Sequence, residues 1–156
     1  MEKVYRFIKD ECAGVFHLLT VRDGFPVGRP FGALAYIGET LYVTTGPHKG
    51  VYRDMIAKPQ VGLVVIKPGA RDWVRVNAVA EETQDLAVKA EMLAQCPNLL
   101  KYHPVAEDPT FAVFALKSAV ADWPKKKSKQ KKPPVKGRRE NEIRNGTVAD
   151  FSIFLF

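Results

Sequence analysis

The tetrapeptide Ile37-Gly38-Glu39-Thr40 lies between two strand-like apolar runs, Val27 to Ile37 and Leu41 to Thr45, and it constrains the fold more than any other short stretch. Glycine takes positive φ without steric cost, and Gly-X between such runs suits a two-residue type II′ hairpin turn. Ile37 then faces Thr40. Carrying that register outward places Arg29 opposite His48, beside Lys49 and the run Thr44-Thr45-Gly46. Residues two apart on a strand share a face, so Arg29 and Thr44 point the same way. The next segment, Lys49 to Ala57, reads as a short helix closed by Lys58-Pro59. A helix start with free N–H groups and a positive partial charge attracts anions. Arginine adds a fork matched to phosphate oxygens, and lysine a mobile point charge. The hairpin end thus predicts a phosphate cradle built from Arg29, Thr44, Thr45, His48 and Lys49. The alternative is a solvated hairpin end with two exposed cations.

The rest of the chain alternates short strands with a few helices. Val4 to Cys12 predicts a helix with Val4, Phe7 and Ile8 on one face. Val15 to Val21 predicts a strand ending at the turn signal Arg22-Asp23-Gly24. Val61 to Ile66 is a continuous apolar run, as expected of a strand buried on both faces. Trp73 to Glu81 alternates Trp73, Arg75 and Asn77 against Val74, Val76 and Ala78. Gln84 to Cys96 predicts a helix burying Leu86, Met92 and Leu93 and ending at Pro97, and Phe111 to Val120 a last strand. About six strands with helical trimmings predict a mainly β (α+β) fold of the small-barrel kind.

The formal charge of +7 is unevenly placed. Residues 1–123 hold 14 Lys plus Arg and 14 Asp plus Glu, whereas residues 124–156 hold 10 basic and 3 acidic residues. The expectation is one folded domain over 1–123 and a basic, disordered tail over 124–156 with an apolar end, TVADFSIFLF. Lysine runs bind polyanions, but no aromatic residue is interleaved with this one, so nucleic acid is not the expected partner. No apolar run approaches the ~20 residues of a membrane span. The N-terminus is charged throughout, without a signal-peptide core. Cys12 and Cys96 stand alone, which suits a reducing, cytoplasmic setting.

The segments GVFHLLTVRDGFPVGRPFGAL, TTGPHKG and DWVRVNAVAEET resemble the FMN-binding split-barrel proteins related to pyridoxamine 5′-phosphate oxidase, over about Tyr5 to Trp123. The resemblance implies an FMN-binding split β-barrel and a homodimer with FMN at the subunit interface. It also implies phosphate contacts from Arg29, Lys49 and Thr44-Thr45, with His48 adjacent as a contact or a loop cap. Leu34 and Ala35 on the hairpin, with Trp73 and Arg75 on the later strand, are the family-equivalent flavin-ring candidates. Trp73 has a core role as its alternative, and Arg75 a dimer salt bridge. The chain lacks the family oxidase's C-terminal segment of R-L-H-D-R type, so oxidation of pyridoxamine phosphate itself is not expected. The implied activity is a flavin-dependent oxidoreduction of a small molecule, with NAD(P)H or another small reductant. A non-catalytic flavin-binding role in storage or sensing is the alternative.

Other chemistries find little support. GPHKG lacks the GxxxxGK[ST] spacing, and no G-x-G-x-x-G occurs. His17, His48 and His103 share no metal-ligand spacing with each other or with a cysteine. No serine lies in a nucleophile-elbow context.

Overall fold

The computed structural model describes residues 1–124; the basic segment and apolar end expected beyond them lie outside the described residues. Seven strands form one antiparallel sheet in the order β2-β1-β5-β6-β7-β4-β3. They are β1 (Phe16–Arg22), β2 (Phe25–Phe31), β3 (Leu34–Ile37), β4 (Thr40–Thr45), β5 (Gln60–Ile66), β6 (Trp73–Thr83) and β7 (Ala112–Asp122). Helix α1 (Glu2–Arg6) continues as a π turn over Phe7–Glu11; α2 (Gly50–Ala57) joins β4 to β5, and α3 (Leu86–Gln95) follows β6. The sheet is a split barrel. It does not close, and β2 and β3 are its two edges.

The central hairpin has the expected register, with Ile37 facing Thr40 and Leu34 facing Val43. Its turn differs. Gly38 and Glu39 both have positive φ, 52° and 66°, which makes the turn type I′ rather than II′. Asp23-Gly24, at 53° and 80°, repeats the device between β1 and β2. Both turns match the right-handed strand twist.

The expected ladder from Arg29 to His48 does not form. The chain leaves the sheet at Gly32-Ala33, and β2 pairs with β1 instead, setting Arg29 opposite Leu18. The sequence carries a reason for this. Pro26 and Pro30 lack N–H donors, and prolines are tolerated where a strand has only one neighbour, as β2 does.

Strand β5 is also unlike its expectation. Val61, Leu63 and Val65 are buried, but Ile66 is exposed, so only one face is covered within this chain. The stretch buried on both faces is the first half of β7, from Ala112 to Leu116. Ala112, Phe114 and Leu116 join the main core with Phe16, Leu18, Leu34, Val43, Met55 and Val76. Phe111, Val113 and Ala115 meet Tyr42, Met92, Leu93 and Cys96 in a second core under α3. Asp85 caps α3 by accepting from Ala87 and Val88 N–H, while Leu86, expected inside, is exposed.

Candidate functional site

Strand β4 delivers Thr44 and Thr45 to the edge of the core, and the loop Gly46-Pro47-His48 turns the chain into α2. Lys49 is the residue before the helix, with extended backbone. The first turn of α2 holds no acidic residue and receives no side-chain cap, so its leading N–H groups and positive partial charge are not spent on a side chain. Gly46 is buried under the His48 ring: a Cβ at Gly46 would lie 2.5 Å from His48 Cε1. The loop therefore folds back on itself only with glycine there.

Arg29 reaches this place from β2. A cavity of about 740 Å³ is lined by Arg29, Thr44, Thr45, Gly46, His48 and Lys49. Five of the sequence-selected residues are thus together, although by a route other than the expected ladder. They are not equivalent. Thr44 Oγ1 donates to the Ala112 carbonyl at 2.7 Å, so its proton is committed to holding β4 on β7. The Thr45 hydroxyl has no partner among the described residues. His48 and Lys49 are exposed.

Arg29 is the fixed member. Its Nη1 donates to Thr20 Oγ1 at 3.0 Å, and its Nη2 to Asp54 Oδ2 at 3.3 Å. Asp54 lies on α2 and is only 5% exposed. It also accepts two bonds from Arg22, at 2.8 and 2.9 Å, and one from Thr20 at 2.9 Å. The Arg22 hydrogen bonds, then the Thr20 hydroxyl and the charges of Arg22 and Arg29, hold the Asp54 carboxyl below the ordinary carboxylate range against the opposing effect of burial. Two strands and a helix are thereby tied at one carboxylate, and Arg29, which lines the cavity, keeps a fixed orientation.

Sequence reasoning missed Asp54, Thr20 and Arg22. A signal existed for the first: Asp54 sits next to Met55 and three residues after Val51, on the buried stripe of α2. A carboxylate on an apolar stripe requires cationic or donor partners. The other wall of the cavity was also missed. It comes from Leu99, Tyr102, His103 and Thr110, on the turn after α3 and the loop before β7.

None of the four flavin-ring candidates, Leu34, Ala35, Trp73 and Arg75, lines this cavity. Leu34 is fully buried in the main core and Ala35 in the second. Trp73, at the start of β6, is half-buried and faces Ile66 on β5. Arg75 pairs with Asp122 at 2.6 Å across β6 and β7, with both side chains about half exposed. Cys12 and Cys96 are free thiols, each pushed up by burial.

Residues 2–122 match the family described as Pyridoxamine 5′-phosphate oxidase. The chain belongs to that family. No curated protein sequence matches it. Solved structures do, among them a NimC/NimA family protein of Clostridium acetobutylicum, 28% identical, with TM-score 0.73 over 79% of this chain and 86% of that one. General Stress Protein 26 of Bacillus anthracis is 20% identical, with TM-score 0.65 over 78% and 91%. An F420 reductase is 25% identical, with TM-score 0.56 over 69% and 88%. Members of this oxidase family commonly bind flavins or related cofactors. No helix among the described residues is long and apolar enough to cross a membrane.

Proposed function

We propose that this chain binds FMN through the cradle at the start of α2 and acts as a flavin-dependent oxidoreductase on a small molecule. One observation carries the reading: Arg29, aimed by a buried carboxylate, and Lys49 flank an uncapped helix start on one cavity wall. The donor set suits a phosphate monoester. Arg29 offers a planar fork, Lys49 a mobile ammonium, and the first turn of α2 its backbone N–H groups. The Thr45 hydroxyl is free to donate, whereas Thr44 can only accept. FMN, when bound, supplies electron transfer in one- or two-electron steps. The protein supplies orientation, a positive local potential and a wall that limits water.

The working unit under this proposal is a homodimer. A shallow groove of about 530 Å³ on the sheet is lined by Leu19, Val21, Val61, Val79 and Val120 among others, and Val120 is 67% exposed. A second copy covering that face would bury β5 on its open side. Trp73 and Arg75, which lie away from the cavity within one subunit, would meet flavin only across such an interface. NAD(P)H is the expected reductant, and the cytoplasm the expected setting for two buried free thiols.

Freshly purified protein should be yellow, and calorimetry should show FMN binding far more tightly than riboflavin. Equal affinity for the two would remove the phosphate cradle. NAD(P)H oxidation with a general electron acceptor separates catalysis from flavin storage or sensing.

A further inference from the structure

Of the three histidines, only His103 has a ring nitrogen engaged by a carboxylate. Its Nδ1 lies 3.0 Å from Asp108 Oδ2 and 3.3 Å from Thr110 Oγ1. Asp108 Oδ1 accepts from the Thr110 N–H at 2.8 Å and from the Thr110 hydroxyl at 2.6 Å. The two Thr110 bonds and the His103 contact lower the Asp108 carboxyl to about 2, so it is ionised at neutral pH and accepts a hydrogen bond from Nδ1–H. The ring also stacks on the buried Phe111, with centroids 4.8 Å apart and planes 27° from parallel. Its orientation is fixed, with Nδ1–H on Asp108. Nε2, the remaining nitrogen, has no partner among the described residues, and the ring borders the same cavity as Arg29 and Lys49.

The His103–Asp108 bond bridges the loop, whose two ends are held by local backbone bonds from His103 N to Leu99 O and from Phe111 N to Asp108 O, at 2.8 and 3.0 Å. That staple uses Nδ1 alone and leaves Nε2 unspent, so an imidazole oriented in this way on a cavity wall is organised in advance for a ligand contact. The residues lining the cavity include Arg29, Lys49, His48 and His103 and no carboxylate, so its ligand chemistry is anionic.

We propose that His103 is a ligand-contacting residue of this cavity: as an imidazolium in the complex it donates Nε2–H to an anionic oxygen of phosphate or carboxylate type, while its Nδ1–H stays on Asp108, the positioning residue. Two sources can supply that oxygen: the FMN phosphate, if the flavin reading above holds, or a second small anion beside it. The contact itself does not require the flavin.

The decisive variant is His103→Asn. The Asn amide can reproduce the Nδ1–H bond to Asp108 and keep the loop closed, but it has no atom at the Nε2 position. FMN, riboflavin and inorganic phosphate are titrated into the full chain and this variant. Long-range proton–nitrogen imidazole spectra follow His103, and thermal melts follow folding. We expect the wild-type Nε2 resonance to move with FMN or with phosphate. His103→Asn should melt like the wild type yet bind the responsible anion roughly 10–150-fold more weakly, the range for a lost hydrogen bond to a charged group. Weakening confined to FMN assigns the FMN phosphate, while weakening of phosphate binding to the FMN-loaded protein assigns a second anion. Asp108→Asn should change the His103 tautomer pattern and weaken the same ligand less. A His103 that responds to phosphate in a protein without FMN affinity keeps this proposal and ends the flavin reading. Nε2 unmoved by FMN and phosphate alike, or unchanged ligand binding in His103→Asn, overturns the proposal.

Discussion

The two walls of the cavity are built in opposite ways. On the α2 side, Arg29 is aimed by contacts to Thr20 and to Asp54, 9 and 25 residues away in the chain. On the other side, His103, Asp108 and Thr110 lie within 7 residues and organise themselves. A wall made of long-range contacts is only as firm as the packing of β1, β2 and α2 on each other. A locally closed wall survives small shifts of the sheet. The first therefore couples ligand affinity to global stability, and the second does not.

Substituting Asp54 by Ala should have the largest effect. It leaves the part-buried Arg29 and the buried Thr20 without their acceptor, while the half-exposed Arg22 turns to water, and the lost charge-assisted bonds together cost about 2 kcal/mol or more. Urea denaturation should show that loss, and FMN affinity should fall with it because Arg29 loses its aim. A stable Asp54→Ala protein with unchanged FMN affinity would break the coupling argued for this wall.

Arg29→Ala comes next. It removes the fork itself and should weaken FMN by roughly 1.5–3 kcal/mol, ~10–150-fold, with riboflavin barely affected in parallel calorimetric titrations. Comparable losses for both ligands would mean that Arg29 holds the walls rather than the phosphate.

Acid should weaken both walls. Asp54 and Asp108 both have carboxyls lowered in the folded protein, so each contributes stability above its unfolded value and loses it as pH falls through the folded one. For Asp108 the window runs from the ordinary 3.8 down to about 2. Asp108→Asn should flatten the stability profile across that window and leave the near-neutral fold intact, as followed by circular dichroism. An unchanged acid limb would show that the loop staple is not coupled to folding.

The smallest effect belongs to Arg75→Ala. Its pair with Asp122 is about half exposed, and such pairs contribute about 0–1 kcal/mol. A thermal melt of the monomeric form should scarcely move. A large loss of dimer in light scattering would instead place Arg75 at the subunit interface.

Much of this protein was legible in its sequence because the signals were local. Gly38-Glu39 and Asp23-Gly24 mark the places of their turns in their own residues, although the type I′ geometry at Gly38-Glu39 was not read, and the alternation of Val74, Val76 and Ala78 is a property of β6 alone. The anion-attracting composition of Thr44 to Lys49 is likewise local, since a helix start needs no distant partner to present its N–H groups. Other features were decided only by tertiary pairing. Whether Val27–Phe31 belongs to the second hairpin or the first depends on which neighbour β2 finds, and the break at Gly32-Ala33 sends it to β1. Burial of both faces in the first half of β7 rather than in β5 depends on where α3 packs within the chain. The aim of Arg29 is a tertiary fact as well, because a cation's usefulness at a phosphate rests on what holds it in place. Sequence alone named the cation; only the folded chain supplied Asp54, whose desolvated charge is tolerable because Arg22, Arg29 and Thr20 converge on it from other strands.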